Sequence, residues 1–201
     1  MSECGSGSGE WRWRVAVTTH GVIGKLVNPS QNAFVPGRRI SYNILLAQEL
    51  FSGYNRRNLP PRCALKVDLR KVYDTLEWDF VYVSLRLFGF PERMISWIQE
   101  CLSTTAYSVS LYGELHDFVK GARSLRQGDP MSPYLFVLAM EVLHLLLLQR
   151  VEQSERFQFH WLCKDVDLLS LCFVDDLLIF CRADEHSMML FGTNSNYLQN
   201  G

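Results

Sequence analysis

The sequence predicts an α+β fold. Some apolar segments, such as 39–54, place their apolar residues at helical spacing, whereas others, such as 63–69, alternate between apolar and polar residues. Helix and strand patterns follow one another without a strict βαβ repeat, which distinguishes this class from α/β folds. With 201 residues and 48% hydrophobic content, the chain is long and apolar enough for one globular domain of ordinary size.

The first 26 residues show the weakest pattern. They begin with a Gly/Ser-rich stretch and continue without a convincing period, so we expect a disordered tail over 1–26. The later elements are predicted, in chain order, to be a helix over 39–54, a strand over 63–69, helices over 77–88 and from Pro91 onward, a hairpin over 107–119, a helix over 132–149, and strands over 168–174 and 177–181.

Three aspartates lie at the ends of apolar strands. Asp68 ends the 63–69 segment, and Asp175 and Asp176 separate two apolar runs at hairpin spacing. Like charges about 4 Å apart repel by about 4 kcal/mol at an effective dielectric constant of 20, so such a cluster requires a cation. Mg²⁺ prefers oxygen ligands and fits this requirement. The alternative is that Asp175 and Asp176 simply form a polar turn.

Charge is unevenly distributed along the chain. Residues 1–75 contain 11 Lys and Arg against 5 Asp and Glu, a formal net charge of +6, and residues 76–201 contain 9 against 16, a net charge of −7. A basic half beside an acidic half is typical of a phosphate-facing surface next to a cation site. The alternative is that charged surface residues are simply scattered unevenly along the chain.

The six cysteines form no CxxC pair and show no zinc spacing with histidine. They predict free, mostly buried thiols of an intracellular protein, in the nucleus or the cytoplasm. No signal peptide pattern opens the chain. The most apolar stretch, 134–148, is interrupted by Glu141 and His144 and is too short to span a bilayer. It predicts a core helix, and we expect no membrane partner.

Four motifs occur in a fixed order. They are Asn-Ala-Phe-Val-Pro-Gly-Arg-Arg at 32–39, Lys-Val-Asp-Leu-Arg-Lys-Val-Tyr-Asp at 66–74, Leu-Arg-Gln-Gly-Asp-Pro-Met-Ser-Pro at 125–133 and Phe-Val-Asp-Asp at 173–176. Together they resemble the reverse transcriptases of non-LTR (LINE-like) retrotransposons, most closely the plant type. The resemblance covers about 27–186.

The resemblance implies a fold and its subdivision. The expected architecture is a right-hand polymerase palm, an antiparallel sheet with helices on one face, with partial fingers and without a thumb. Fingers would occupy 27–62 and the palm 63–186, with 187–201 as a divergent tail.

The resemblance also implies roles for individual residues. As catalytic ligands of two Mg²⁺ ions, or of Mn²⁺, it indicates Asp68, Asp175 and Asp176. Nucleotide contacts are expected from Leu69, Tyr73, Gln127 and Gly128, with Tyr73 as a gate against a ribose 2′-hydroxyl. Nucleic-acid contacts are expected from Arg38, Arg39, Lys66, Arg70 and Lys71.

The function implied is RNA-directed DNA polymerase activity on an RNA template, a DNA primer and dNTPs. The fingers arginine, the later palm lysine and the thumb of the family have no recognisable counterpart here, so we expect the chain to be inactive alone. One alternative is a decayed retrotransposon remnant with weak nucleic-acid binding or no function. Another two-metal enzyme, such as a nucleotidyl cyclase, is disfavoured by the four ordered motifs. The pattern predicts no oligomeric state.

Overall fold

The computed structural model describes residues 6–56, 58–69, 71–174 and 176–192. The chain divides into two compact units. The first unit comprises 1–27, 34–36 and 71–140, and the second comprises 28–33, 37–70 and 141–201. The two units are described separately below.

Helices and antiparallel strands are mixed along the chain, which confirms the α+β class. The elements are, in chain order, α1 (Ser6–Leu26), α2 (Ile40–Phe51), β1 (Cys63–Asp68), α3 (Val72–Thr75), α4 (Trp78–Leu87), α5 (Glu92–Ser103), β2 (Ala106–Leu111), β3 (Glu114–Lys120), α6 (Ser132–Glu152), β4 (Ser170–Phe173), β5 (Asp176–Cys181) and α7 (Glu185–Met189). A short 3₁₀ turn lies at Lys164–Val166.

Helix α1 occupies the segment in which the sequence predicts a disordered tail. Val15, Thr19 and Ile23 lie one turn apart, and all three are buried. The Thr19 hydroxyl donates to the Val15 carbonyl at 2.9 Å, which satisfies a polar group on the buried face of the helix. Because the buried face of α1 contains a polar residue, the spacing of apolar residues alone does not indicate the helix.

The remainder of the first unit consists of short helices and a hairpin. Helix α5 buries Ile95, Ile98 and Leu102 on one face, as its helical spacing predicts. Strands β2 and β3 pair in antiparallel fashion and form a separate two-stranded sheet. They are joined by Tyr112 and Gly113, which have φ angles of 53° and 88°. Two consecutive positive φ angles are typical of the tight hairpin turns that match strand twist.

The second unit is built on a three-stranded antiparallel sheet in the order β1–β5–β4. On one face, Leu171 and Phe180 form a core cluster with Ala47 and Leu50 of α2. On the other face, Ser170 bonds to His144 of α6. Because successive side chains on a strand point to opposite faces, helices contact both faces of this sheet, whereas the sequence-based expectation was helices on one face.

Helix α6 contributes 132–140 to the first unit and the rest to the second. At 21 residues it is longer than the stretch predicted from sequence. Among the described helices it alone is, by length and composition, long and apolar enough to cross a membrane. However, 56% of its most apolar window is buried within the protein. Buried Glu141 and His144 lie on it. A core helix of a soluble protein has these properties, and we interpret α6 as one.

Candidate active site

Two of the predicted aspartates meet at one end of the β1–β5 strand pair. Asp68 is the last residue of β1, Asp176 is the first residue of β5, and the two are directly opposite each other in the antiparallel register. Directly opposite residues present their side chains on the same face, with Cβ atoms about 4.5–5.5 Å apart. The register of β1 and β5 therefore brings two carboxylates together at one end of this strand pair.

The face of the sheet that carries Asp68 and Asp176 changes from apolar to charged toward the end of the strand pair. Moving along β5 from Asp176, the residues on this face are Leu178 and then Phe180, which is fully buried against α2. On β1 the corresponding residues are Asp68, Lys66 and Ala64. The face thus changes from apolar core to charged groups within four residues. Asp68 is exposed and Asp176 half-buried, so this end is open to water.

Lys66 forms an ion pair with one of these aspartates. Its Nζ lies 2.9 Å from Asp176 Oδ2, on the diagonal between the two strands. The sequence resemblance implies a nucleic-acid contact for Lys66, and the structure assigns this ammonium group a carboxylate partner within the chain. A bound cation and Lys66 would therefore compete for Asp176.

The hairpin turn differs by one residue from the sequence prediction. Strand β5 begins at Asp176, not at Leu177, so the turn between β4 and β5 contains Val174 in place of Asp176. Val174 has a φ angle of 56°, a left-handed conformation that is unusual for a β-branched residue and indicates local strain. The third predicted ligand, Asp175, lies outside the described residues, as does Arg70.

The carboxylates fit the chemistry of a hard divalent cation. Asp68 and Asp176 supply charged oxygen atoms, the ligands that Mg²⁺ prefers, and Mg²⁺ usually completes its coordination with water and substrate phosphates. Within the described ranges, no group of three or more His, Cys, Asp or Glu side chains is arranged to hold a metal. The pair Asp68 and Asp176 is therefore a partial ligand set.

Leu69 and Tyr73 belong to different units of the structure. Leu69, half-buried, follows β1 in the second unit, and Tyr73 belongs to α3 in the first. The Tyr73 ring stacks on Phe136, with ring centroids 4.4 Å apart and planes inclined by 21°. Such a pair gives packing energy, and it also fixes the orientation of the tyrosine ring. Lys71, before α3, is exposed with a φ angle of 52°.

Gln127 and Gly128 form an exposed turn in the first unit. The backbone N–H of Leu125 donates to the carbonyl of Tyr73 in α3 at 2.8 Å. The turn begins two residues after this hydrogen bond. Gly128 has a φ angle of 84°, which requires glycine for conformational reasons. Asp129 is buried, and its Oδ1 accepts from the Met131 N–H at 2.9 Å, which anchors the chain just before α6.

The two adjacent arginines Arg38 and Arg39 have different environments. Arg38 Nη1 donates to the carbonyls of Asn28 and Gln31 at 2.6 and 2.7 Å, so its guanidinium holds a loop of the chain itself. Arg39 is exposed at the start of α2, and no side-chain cap bond forms there. Of the two, Arg39 has the more accessible charge for a phosphate.

Sequence reasoning missed a buried polar network in the second unit. Asn43 donates to the carbonyls of Ser30 and Cys172 at 2.7 and 2.8 Å, and it accepts from Asn32. It thereby ties α2, the 28–32 loop and β4 together. The available signal was an asparagine at a helical spacing from Ala47 and Leu50, on a face of α2 that is otherwise apolar. Such a residue needs partners, because an unpaired buried amide is costly.

Glu141 and His144 of α6 lie in the same unit and are both buried. Burial raises the pKa of Glu141, while the Asn28 N–H, 2.9 Å from its Oε2, and the nearby Arg38 oppose that rise. Burial lowers the pKa of His144, whose Nδ1 lies 3.0 Å from Ser170 Oγ. Both shifts reflect the cost of a charged group away from water.

Comparison with known proteins places the chain in a family. The family model described as reverse transcriptase (RNA-dependent DNA polymerase) matches residues 12–199. The chain is 25% identical over 137 residues to the transposon TX1 uncharacterized 149 kDa protein of Xenopus laevis, covering 68% of this chain and 10% of that protein. It is 26% identical over 163 residues to the Pol polyprotein of a type-1 retrotransposable element R2 of Nasonia vitripennis, covering 80% and 15%.

A relative from Drosophila melanogaster is also a protein of a retrotransposable element. The Pol polyprotein of its type-2 retrotransposable element R2DM is 27% identical over 114 residues, which cover 57% of this chain and 11% of that protein. This chain thus spans between about a tenth and a fifth of the length of its curated relatives. The relatives support the non-LTR assignment, and the plant type stays a prediction.

The fold resembles that of solved telomerase structures. An apo telomerase from Candida Tropicalis, truncated from its C-terminal domain, superposes with a TM-score of 0.59 at 12% identity, covering 90% of this chain and 35% of that chain. The apo telomerase from the same organism gives a TM-score of 0.54 at the same identity. These structures show the fold alone. The family match over residues 12–199 shows that the chain belongs to the reverse transcriptase (RNA-dependent DNA polymerase) family.

Proposed function

We propose that this chain is the nucleotide-transferring part of an RNA-directed DNA polymerase. The observation that supports the proposal most directly is the register of Asp68 against Asp176 at an open end of the sheet, in a chain that belongs to the reverse transcriptase family. Asp68 and Asp176, with Asp175 as a further ligand, would hold Mg²⁺ or Mn²⁺, and the metal would supply activation of a primer hydroxyl and neutralisation of a triphosphate.

Individual side chains of this chain have separate proposed roles. Asp68 and Asp176 provide the negative charge that attracts a cation, and Lys66 balances Asp176 when none is bound. Tyr73, oriented by its stacking on Phe136, is the proposed surface against the incoming sugar. Leu69 and the exposed turn at Gln127 and Gly128 are proposed to contact the nucleotide.

The proposed partners are an RNA template, a DNA primer and dNTPs. Arg39 and Lys71 are exposed, and they offer charge to backbone phosphates without reading sequence. Lys66 is more than half exposed and retains this role in the proposal, although its ammonium group is shared with Asp176. Arg70, which lies outside the described residues, is proposed for the same role on the basis of the sequence. We place the fingers at 27–62 and the palm at 63–186.

We further propose that the 201 residues by themselves do not extend a primer. Positioning contributes much of the rate of phosphoryl transfer, and this chain spans only a small part of its curated relatives. On poly(rA)–oligo(dT) with Mg²⁺ or Mn²⁺, we expect no dTTP incorporation. Incorporation that is lost in Asp68→Asn would contradict this part of the proposal and would support full enzymatic activity.

Nucleotide binding tests the function separately from turnover. We expect dTTP to bind in calorimetry with Mg²⁺ present, and to bind at least about tenfold more weakly with EDTA or in Asp68→Asn, since Asp68 and Asp176 would hold a metal that would neutralise the triphosphate. The control is Asp165→Asn, which removes the same charge from an exposed position on the 3₁₀ turn. Equal dTTP affinity with and without Mg²⁺ would favour the second candidate, a decayed remnant without nucleotide transfer.

A further inference from the structure

Two cysteines lie directly opposite each other at the other end of the β1–β5 pair. Cys63 is the first residue of β1, Cys181 is the last residue of β5, and they are register partners. Opposite residues in an antiparallel pair have Cα atoms about 4.5–5.5 Å apart, which lies within the 4.4–6.8 Å range of disulfides. Both thiols are free.

The two thiols differ in access to solvent. Cys63 is half-buried, whereas Cys181 is fully buried. A cavity of about 540 Å³ is lined by Pro61 and Arg182, the near neighbours in sequence of the two cysteines. Because Cys63 is the more exposed of the two thiols, a small reagent in solution reaches Cys63 before Cys181.

The thiols also differ in acidity. A hydrogen bond from the Cys181 thiol to the Cys63 sulfur lowers the pKa of Cys63, although burial opposes the effect, and the same bond raises the pKa of Cys181. By contrast, burial raises the pKa of Cys163 to about 11 and that of Cys172 to about 12. The thiolate is the nucleophilic form, so Cys63 is the most reactive of these four thiols.

We propose that Cys63 and Cys181 form an oxidation site, in which a peroxide converts the pair into a disulfide that links β1 to β5. Asp68 and Asp176 lie five residues along each strand, which is about 17 Å at the usual strand rise. The oxidation site is therefore separate from the candidate active site and does not depend on the proposed polymerase function.

The chemistry balances in two steps with hydrogen peroxide as the oxidant. The Cys63 thiolate attacks one peroxide oxygen, a sulfur–oxygen bond forms, the oxygen–oxygen bond breaks, and hydroxide leaves and takes up a proton to give water. The Cys181 sulfur then attacks the Cys63 sulfenic acid. The disulfide bond forms, the sulfur–oxygen bond breaks, and hydroxide leaves with the proton of the Cys181 thiol as a second water. Two electrons pass from the thiols to the peroxide.

Mass spectrometry of the full chain tests the proposal. The folded protein is treated with hydrogen peroxide, the remaining thiols are blocked with N-ethylmaleimide, and the digest is searched for linked peptides. We expect a Cys63–Cys181 peptide lighter by two hydrogens, formed at least about tenfold faster than any oxidation of Cys163 or Cys172, because their thiolates are scarcer. Cys172→Ser is the matched control and should form the same link.

A second variant isolates the first step. In Cys181→Ser the hydroxyl can still donate to Cys63, but no second thiol remains, so Cys63 should accumulate as a sulfenic acid that dimedone traps. Peptide mapping separates this product from oxidation at Cys4. The proposal would be overturned if the folded wild type formed no Cys63–Cys181 link, or if Cys163 and Cys172 were oxidised as fast as Cys63.

Discussion

Lys66 Nζ lies 2.9 Å from Asp176 Oδ2, so an ammonium group neutralises one of the two carboxylates at the end of the β1–β5 pair. The Lys66 side chain is 62% exposed, and ion pairs of this kind are worth about 0.2–1 kcal/mol. A cation held at Asp68 and Asp176 would have to displace that interaction, and we therefore propose that Lys66 modulates metal affinity.

Replacing Lys66 should therefore strengthen metal binding. We expect Lys66→Met to bind Mn²⁺ about two- to fivefold more tightly than wild type, the factor that corresponds to a surface ion pair. Lys164→Met, which removes an exposed lysine from the 3₁₀ turn, should leave the affinity unchanged. Calorimetric titration with Mn²⁺ measures both. Weaker binding in Lys66→Met would mean that Lys66 does not compete for this carboxylate.

The two adjacent arginines should respond differently to substitution. Arg38 bonds two carbonyls and faces buried Glu141, so Arg38→Ala should destabilise the fold by about 2–4 kcal/mol in urea unfolding. Arg39 is exposed, and Arg39→Ala should leave stability nearly unchanged. It should instead weaken binding of single-stranded RNA and reduce the salt slope by about 0.7, as expected for one lost phosphate contact.

Fluorescence anisotropy with a labelled RNA at several salt concentrations measures this slope. If Arg39→Ala bound RNA with the same affinity and salt dependence as wild type, Arg39 would not belong to the phosphate-contact surface. A stable Arg38→Ala would show that the Asn28 and Gln31 carbonyls do not need their guanidinium partner.

Stability should fall on mild acidification because two buried histidines are held neutral. Burial lowers the pKa of His144 and of His160 below the ordinary value of 6.5, and Arg62 adds to the shift of His160. The unfolded chain then binds protons more readily than the folded one. This contribution is fully present above about pH 6.5 and is lost as pH falls, by at most about 1.4 kcal/mol per pH unit for each histidine.

The measurement is urea unfolding at pH 7.5 and 5.5 for wild type and for the double variant His144→Asn/His160→Asn. We expect the wild type to lose more stability between these pH values than the variant. Glu141, whose raised pKa acts in the opposite direction, is present in both proteins and cancels in the difference. Equal losses would show that neither histidine is held neutral by the fold.

Where the period of apolar residues was clear, the fold could be predicted. Strand β1 and helix α4 lie within two residues of their predicted bounds, and α5 begins one residue after the predicted start at Pro91, because each element has a regular apolar face. Helix α1 was missed because Thr19 lies on its buried face and is satisfied by a local hydrogen bond. Such a bond leaves no trace in the spacing of apolar residues.

The candidate site was predictable in part for a related reason. An aspartate at the end of each apolar strand predicted that Asp68 and Asp175 lie close together at one end of a sheet. In the structure the residue opposite Asp68 is Asp176, and Asp175 lies outside the described residues. The turn at Val174 was not predictable, since the sequence favours Asp over a β-branched residue in the left-handed conformation. The Lys66 ion pair and the Asn43 network depend on strand register and on contacts between distant segments, which no local pattern encodes.

The most direct test of the account is the thermal shift caused by Mn²⁺ in wild type, Asp68→Asn and Asp165→Asn. A ligand that binds the folded state raises the melting temperature, and it does so only where its site is intact. We predict equal upward shifts for wild type and Asp165→Asn, and a shift at most half as large for Asp68→Asn. Equal shifts in all three proteins would contradict a metal site built on Asp68 and Asp176.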